Sequence, residues 1–112
     1  MTHHMHLSST PFERIASGRQ TIEARVNDEK RQLLSVGDQI EFTLRGDMSK
    51  KFSAKITLLM NHASFKDLYS ADRAEKFGDK NREELMRAIY QYYSKEDEER
   101  WGVVGIVLEL LS

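Results

Sequence analysis

The sequence predicts an α+β fold: a small, mixed, mainly antiparallel β-barrel, partly closed, with helices packed over its openings. Three observations point there. Apolar and polar residues alternate with a period of two through several short runs, as half-buried strands require. Over residues 81–93 the period lengthens to three and four, which is helical. The resulting order, β-α-β-(turn)-β-β-α-α-β, has no regular βαβ repeat, so antiparallel pairing is expected in place of a doubly wound sheet. At 112 residues the chain accommodates one domain, residues 1–112, with a core of its own.

Residues 3–7 (HHMHL) read as the first strand. SSTPFERIASG then carries helix punctuation: a Ser or Thr cap, Pro11 early, Phe12, Ile15 and Ala16 on one face, and Gly18 as the stop. QTIEARV, residues 20–26, is the second strand, with Ile22, Ala24 and Val26 on one side and Thr21, Glu23 and Arg25 on the other. NDEKRQLLSVGDQ is turn-rich, with a helical turn around Glu29–Leu33, and Gly37-Asp38 feeds the next strand. QIEFTLR turns Ile40, Phe42 and Leu44 inward. Gly46-Asp47 is a turn, and KKFSAKITLLM sets Phe52, Ala54, Ile56 and Leu58 inward as the hairpin partner. SFKDLYSADRAEKFG holds one or two short helices. NREELMRAIYQYY is amphipathic, capped by Asn81, with Leu85, Met86, Ile89, Tyr90 and Tyr93 on its stripe. SKEDEERWG reads as an exposed acidic turn and GVVGIVLELL as a closing strand apolar on both faces.

Composition narrows the function. No run of some 18 apolar residues exists, which excludes a membrane-spanning helix, and MTHHMHL lacks the pattern of a secretion signal. With no cysteine there is no disulfide framework, thiolate metal site or cysteine nucleophile, and a cytoplasmic protein fits best. The net charge of −1 hides an asymmetry: residues 1–66 carry ten Lys/Arg against seven Asp/Glu, residues 67–112 seven against eleven. A basic patch can therefore form from Arg14, Arg19, Arg25, Lys30, Arg31, Arg45, Lys50, Lys51 and Lys55, although scattered surface charge gives the same counts.

The second strand carries the sharpest chemistry. Glu23 and Arg25 can pair, leaving a guanidinium fork for an anionic or planar polar ligand. The plain alternative is a solvated sheet face with a surface ion pair worth about 0–1 kcal/mol. His4 and His6 share a face of the first strand, with His3 opposite and His62 ending the fourth. That spacing is unspecific, and no metal site is assigned to it. Most aromatics fall on core positions; Tyr92 and Trp101 are the two with a case for stacking on a base. Neither a P-loop, a dinucleotide fingerprint nor a nucleophile elbow is present, so no cofactor is expected.

Taken together, Phe12, Ile15, Gly18, Thr21, Ile22, Glu23 and Arg25, then Val36, Gly37, Asp38, Ile40 and Phe42, resemble the opening of ASCH domains, and YYSKEDEERWGVVGIVLEL resembles their close. The resemblance implies a PUA-like barrel that binds RNA, or a nucleotide or nucleoside-like ligand, in a cleft beside the second strand. Its site would comprise Arg19, Gln20, Thr21, Glu23 and Arg25, with Lys30 and Arg31 as flanking phosphate contacts. One departure stands out: the family's usual Lys is Gln20 here. Members that deacetylate N4-acetylcytidine use a Thr, a Lys and a Glu, which map to Glu23, Gln20 and the neighbourhood of Gly78 or Asp79, so that mechanism is altered in this chain. An RNA-processing enzyme of the same cleft, such as a ribonuclease, is the alternative to a binding module. A scaffold meeting a protein partner through its acidic half is the third reading.

Overall fold

The computed structural model describes residues 1–79 and 81–111. Strands β1 (Thr2–Leu7), β2 (Ile22–Val26), β3 (Gln39–Leu44), β4 (Asp47–His62) and β5 (Val103–Leu110) form one sheet in the order β1-β3-β4-β5-β2. β1 runs parallel to β3, and the other neighbours are antiparallel. The two edges are therefore β1 and β2. The sheet curls into a half-barrel that brings these edges together, close enough for the Arg25 side chain on β2 to donate to the His6 carbonyl on β1 at 3.3 Å. Helices α1 (Ser9–Ala16), α2 (Phe65–Ser70), α3 (Arg82–Ile89) and α4 (Lys95–Trp101) pack around it, with 3-10 turns at Arg31–Leu33 and Ala74–Phe77. Among the described residues no helix is long and apolar enough to cross a membrane.

Two cores explain why β5 is apolar on both faces. Val104, Ile106 and Leu108 join Met5, Leu7, Ile40, Phe42 and Ile56 inside the curl, beneath Ile15 of α1. Val103, on the other face, joins Ile22, Ala24 and Val26 of β2 and Phe65, Leu68 and Leu85 of α2 and α3. A strand sandwiched between two apolar layers needs no polar side, and β5 has none until Glu109. At Gly105 the second layer comes so close that a Cβ would lie 2.7 Å from Leu68 Cδ1 and 3.3 Å from Ile22 Cγ2, and Leu68 is fully buried. Gly105→Ala is therefore expected to destabilise the fold by about 2 kcal/mol through overpacking. Thermal denaturation checks this, and a variant as stable as the parent would show that the layer yields.

The structure departs from the sequence expectations at several places. Residues 95–101 are helix α4, not an exposed turn, because Ser94 caps them by accepting from the Asp97 N–H at 3.1 Å. Leu58 is outward and 52% exposed, because the register between β4 and β5 shifts between Ile56 and Leu58 and inverts the alternation, so that Leu59 packs instead. α3 stops at Ile89; Tyr90 and Tyr93 still pack on the second core from the turn that follows. β2 begins at Ile22, not at Gln20.

Candidate functional site

Where the barrel fails to close, a cavity of about 650 Å³ opens between the β1–α1 junction, β2 and α3. Gln20, Glu23 and Arg25 lie on its wall. In the β2–β5 register Glu23 faces Ile106 and Arg25 faces Val104, so both side chains project from the concave side of the sheet. Only 12% of each side chain is exposed. Arg25 Nε and Nη2 both donate to one oxygen of Glu23, Oε2, at 3.2 and 3.1 Å. The other oxygen, Oε1, receives only a long contact from Gln20 Nε2 at 3.5 Å, since that amide donates mainly to the Ile22 carbonyl at 3.0 Å. Burial alone pulls the Arg25 pKa down, but the Glu23 carboxylate and the Tyr93 hydroxyl outweigh it and raise the value above the ordinary one. The pair is thus a fixed cation beside a carboxylate oxygen with room for another donor.

The walls differ in character. Arg14 of α1 and Arg45, just after β3, stand on the sheet side with the Ser8–Thr10 segment. Leu85, Ile89, Tyr92 and Tyr93 come from α3 and the turn after it, with Tyr69 and Phe77 behind them. Among the described residues, three arginines and two carboxylates, Glu23 and Asp79, line the cavity. Burial pushes the Tyr69 phenol above its usual pKa, with Glu23, Tyr90 and Tyr93 adding to it, so it stays neutral. Tyr92 is 65% exposed at the rim, its hydroxyl 3.5 Å from Ser8 Oγ across the mouth. Gly78 has φ +103°, and a Cβ there would lie 2.6 Å from Gln20 Oε1; glycine at the end of the 3-10 turn is what lets Gln20 reach its place.

The residues expected at a site divide in two. Gln20, Glu23 and Arg25 converge on the cavity; Arg19, Thr21, Lys30 and Arg31 do not line it. Arg19 is exposed and donates to Ser17 Oγ at 3.1 Å. Thr21 precedes β2 rather than sharing its alternation, and its backbone bridges Lys76 and Leu108. Lys30 and Arg31 lie in the β2–β3 loop, where Arg31 pairs with Asp28 at 3.6 Å. Of the histidines, His3 bonds Asp38 at 2.8 Å, His4 approaches Glu41 at 3.4 Å, and His6 borders the cavity. Among the described residues no group of three His, Cys, Asp or Glu side chains is placed to hold a metal. Trp101 packs on the second core beneath Arg100, away from the cavity. Asp79, singled out only through the family resemblance, also lines the cavity; Tyr93 and the Ser8–Thr10 segment join it with no local sequence signal, and Arg14 and Arg45 read only as members of a dispersed basic set.

Comparison with known proteins fits this geometry. The ASCH domain model matches residues 5–112. The crystal structure of hypothetical protein PH0355 is 31% identical, superposes with a TM-score of 0.86, and the match covers 99% of this chain and 100% of that one. Protein PF0455 from Pyrococcus furiosus, solved by NMR, is 26% identical with a TM-score of 0.73 over 100% of this chain and 99% of its own. A serine-to-alanine mutant of the ASCH protein from Zymomonas mobilis shares the fold at 12% identity and a TM-score of 0.61, over 96% of this chain and 67% of that one. No curated protein matches the chain significantly. With the family model spanning all but the first four residues and the half-barrel in place, the chain belongs to the ASCH domain family.

Proposed function

We propose that the cavity binds a nucleotide, as a free ligand or as part of RNA. The observation that carries the reading is the Glu23–Arg25 pair, held in a cavity that is arginine-lined on one wall and tyrosine-lined on the other. A base stacks against the aromatic wall. Its amino or ring N–H donates to Glu23 Oε1, and the phosphate meets Arg14 and Arg45. A volume of about 650 Å³ suits a ligand of that size. Arg19, Lys30 and Arg31 do not line the cavity, and the Thr21 backbone bonds Lys76 and Leu108.

Binding, rather than turnover, is the reading favoured. The acetylcytidine mechanism needs a threonine and a lysine where this chain has Glu23 and Gln20, and Thr21 lies outside the cavity lining. The test is titration with nucleoside 5′-monophosphates and with the matching nucleosides at low and high salt. Monophosphates should bind more tightly than nucleosides, and the difference should shrink as salt rises. Tyr92→Ala should weaken both by about tenfold, the loss of one stacked base. Absence of binding by any nucleotide or short RNA at low salt overturns the proposal, and steady hydrolysis of RNA or of N4-acetylcytidine replaces it with the enzymatic one.

A further inference from the structure

We infer that the cavity reads its ligand through the main chain of β2: the Ala24 N–H and C=O take a ring nitrogen and the amino group beside it on a flat heterocycle. The inference rests on the nucleotide reading above and names the edge by which the base is held.

The ladder fixes the direction of each peptide group on β2. The Thr21 carbonyl accepts the Leu108 N–H at 2.8 Å, and the Asn27 N–H donates to the Gly102 carbonyl at 3.0 Å. In an antiparallel pair, residues that exchange such bonds alternate with residues that do not. Residues 21, 23, 25 and 27 therefore aim their peptide groups at β5, while Ile22, Ala24 and Val26 aim theirs away from it. No strand lies on that side, because β2 is an edge of the sheet. Ile22 bears out the direction: its carbonyl accepts Gln20 Nε2 from beyond the edge at 3.0 Å. Among the described residues the Ala24 N–H and C=O have no such partner.

The cavity lies where these groups point. Its lining takes Glu23 and Arg25 from the concave face and Tyr69, Phe77 and Leu85 from the second core, so it straddles the β2 edge. Ala24 belongs to the lining as well, yet its methyl packs in the second core. What Ala24 presents to the cavity is its peptide groups. The residue is only 8% exposed, and a donor and an acceptor so enclosed are costly to leave unpaired.

The neighbours define what fits them. Glu23 Oε1 overlooks the same edge, since the Gln20 amide nitrogen on the Ile22 carbonyl also reaches that oxygen, at 3.5 Å. The Ala24 N–H thus stands with two acceptors, the Ala24 carbonyl and Glu23 Oε1. An exocyclic amino group has two hydrogens, one for each acceptor, and the ring nitrogen beside it accepts the Ala24 N–H. A ring N–H has a single hydrogen and leaves one buried acceptor unmet. Adenine carries such an amino group with a ring nitrogen on either flank, N1 and N7.

The test titrates adenosine 5′-monophosphate (AMP) and its 1-deaza and 7-deaza analogues, each with CH in place of one ring nitrogen. Each is measured on the parent and on Ala24→Pro. Proline removes the N–H, and because that N–H faces away from β5 no ladder bond goes with it. The parent should bind one of the two analogues about fivefold more weakly than AMP. Ala24→Pro should lose about fivefold for AMP and for the analogue that keeps the contacted nitrogen, and nothing for the analogue that lacks it. Both analogues binding the parent as tightly as AMP overturns the main-chain contact, whatever proline does to the strand. Unchanged AMP affinity in Ala24→Pro overturns it as well. AMP left unbound while another nucleoside monophosphate binds also overturns it, and leaves the nucleotide site standing. Failure of every monophosphate to bind at low salt removes the site and the contact together.

Discussion

Arg25→Met is expected to abolish nucleotide binding and to cost the fold about 3 kcal/mol. The two losses have different origins. Stability falls because Glu23, with 12% of its side chain exposed, is left as a buried charge with only a long contact from Gln20. It also falls because Arg25 ties the two open edges of the half-barrel through the His6 carbonyl. Binding falls because the cation that orients Glu23 and faces the ligand is gone. A second substitution separates the two. In Glu23→Gln/Arg25→Met the buried charge is removed as well, so much of the stability returns while binding does not. Arg25→Lys keeps the charge but loses the planar fork that reaches Glu23, His6 and Tyr93 together, and falls between parent and Met. Urea denaturation and ligand titration on the same samples give both readings. An Arg25→Met protein that unfolds like the parent and still binds nucleotide would remove the pair from any role in the cavity.

Much of this fold was legible because period and punctuation are local. Ile40 and Phe42 alternate inward as written, and the Asn81 side chain caps α3 by accepting from the Glu84 N–H at 2.9 Å. Glu23 and Arg25 could be paired from their spacing alone, since i and i+2 on a strand share a side. Their surroundings could not. The cavity is built from strand edges and a helix that meet only because β1 lies beside β3 and the sheet curls, and period carries no information about strand order. The same limit explains Leu58, whose outward turn depends on a bulge between β4 and β5 that no residue type announces. The ladder starts at Ile22, so Thr21 lies before the alternation and outside the cavity lining, whereas Gln20, also expected at the site, lines it. Among cations, spacing cannot distinguish Arg19 from Arg14, which lie on opposite sides of the Gly18 turn and end in different surroundings.

Glu98→Ala is expected to destabilise the fold by about 3–4 kcal/mol, although the residue sits in the most acidic run of the chain. Within EDEE, residues 96–99, only Glu98 is buried, at 6% exposure. Its carboxylate accepts the Phe65 N–H at 2.7 Å, at the start of α2, and the Tyr90 hydroxyl at 2.8 and 2.9 Å, just past α3. One side chain of α4 thus satisfies the buried N-terminal end of a second helix and ties down the turn after a third. Burial, and then the bond to Glu98, push the Tyr90 pKa up to about 12, which keeps the phenol protonated and donating at every physiological pH. Removing the carboxylate leaves a buried N–H and a phenol without partners, each worth about 1–3 kcal/mol. Glu98→Gln keeps an acceptor oxygen and should lose less than half as much. The neighbours Glu96→Ala and Glu99→Ala, both exposed, should change stability by no more than about 0.5 kcal/mol. The contrast matters for the site because Tyr92 and Tyr93 follow Tyr90 in the same turn. If the turn is held through Glu98, then Glu98→Ala also weakens nucleotide binding, whereas the exposed neighbours leave it unchanged. Equal stability across the four variants would show that Phe65 and Tyr90 find other partners and that α4 is not the brace of the tyrosine wall.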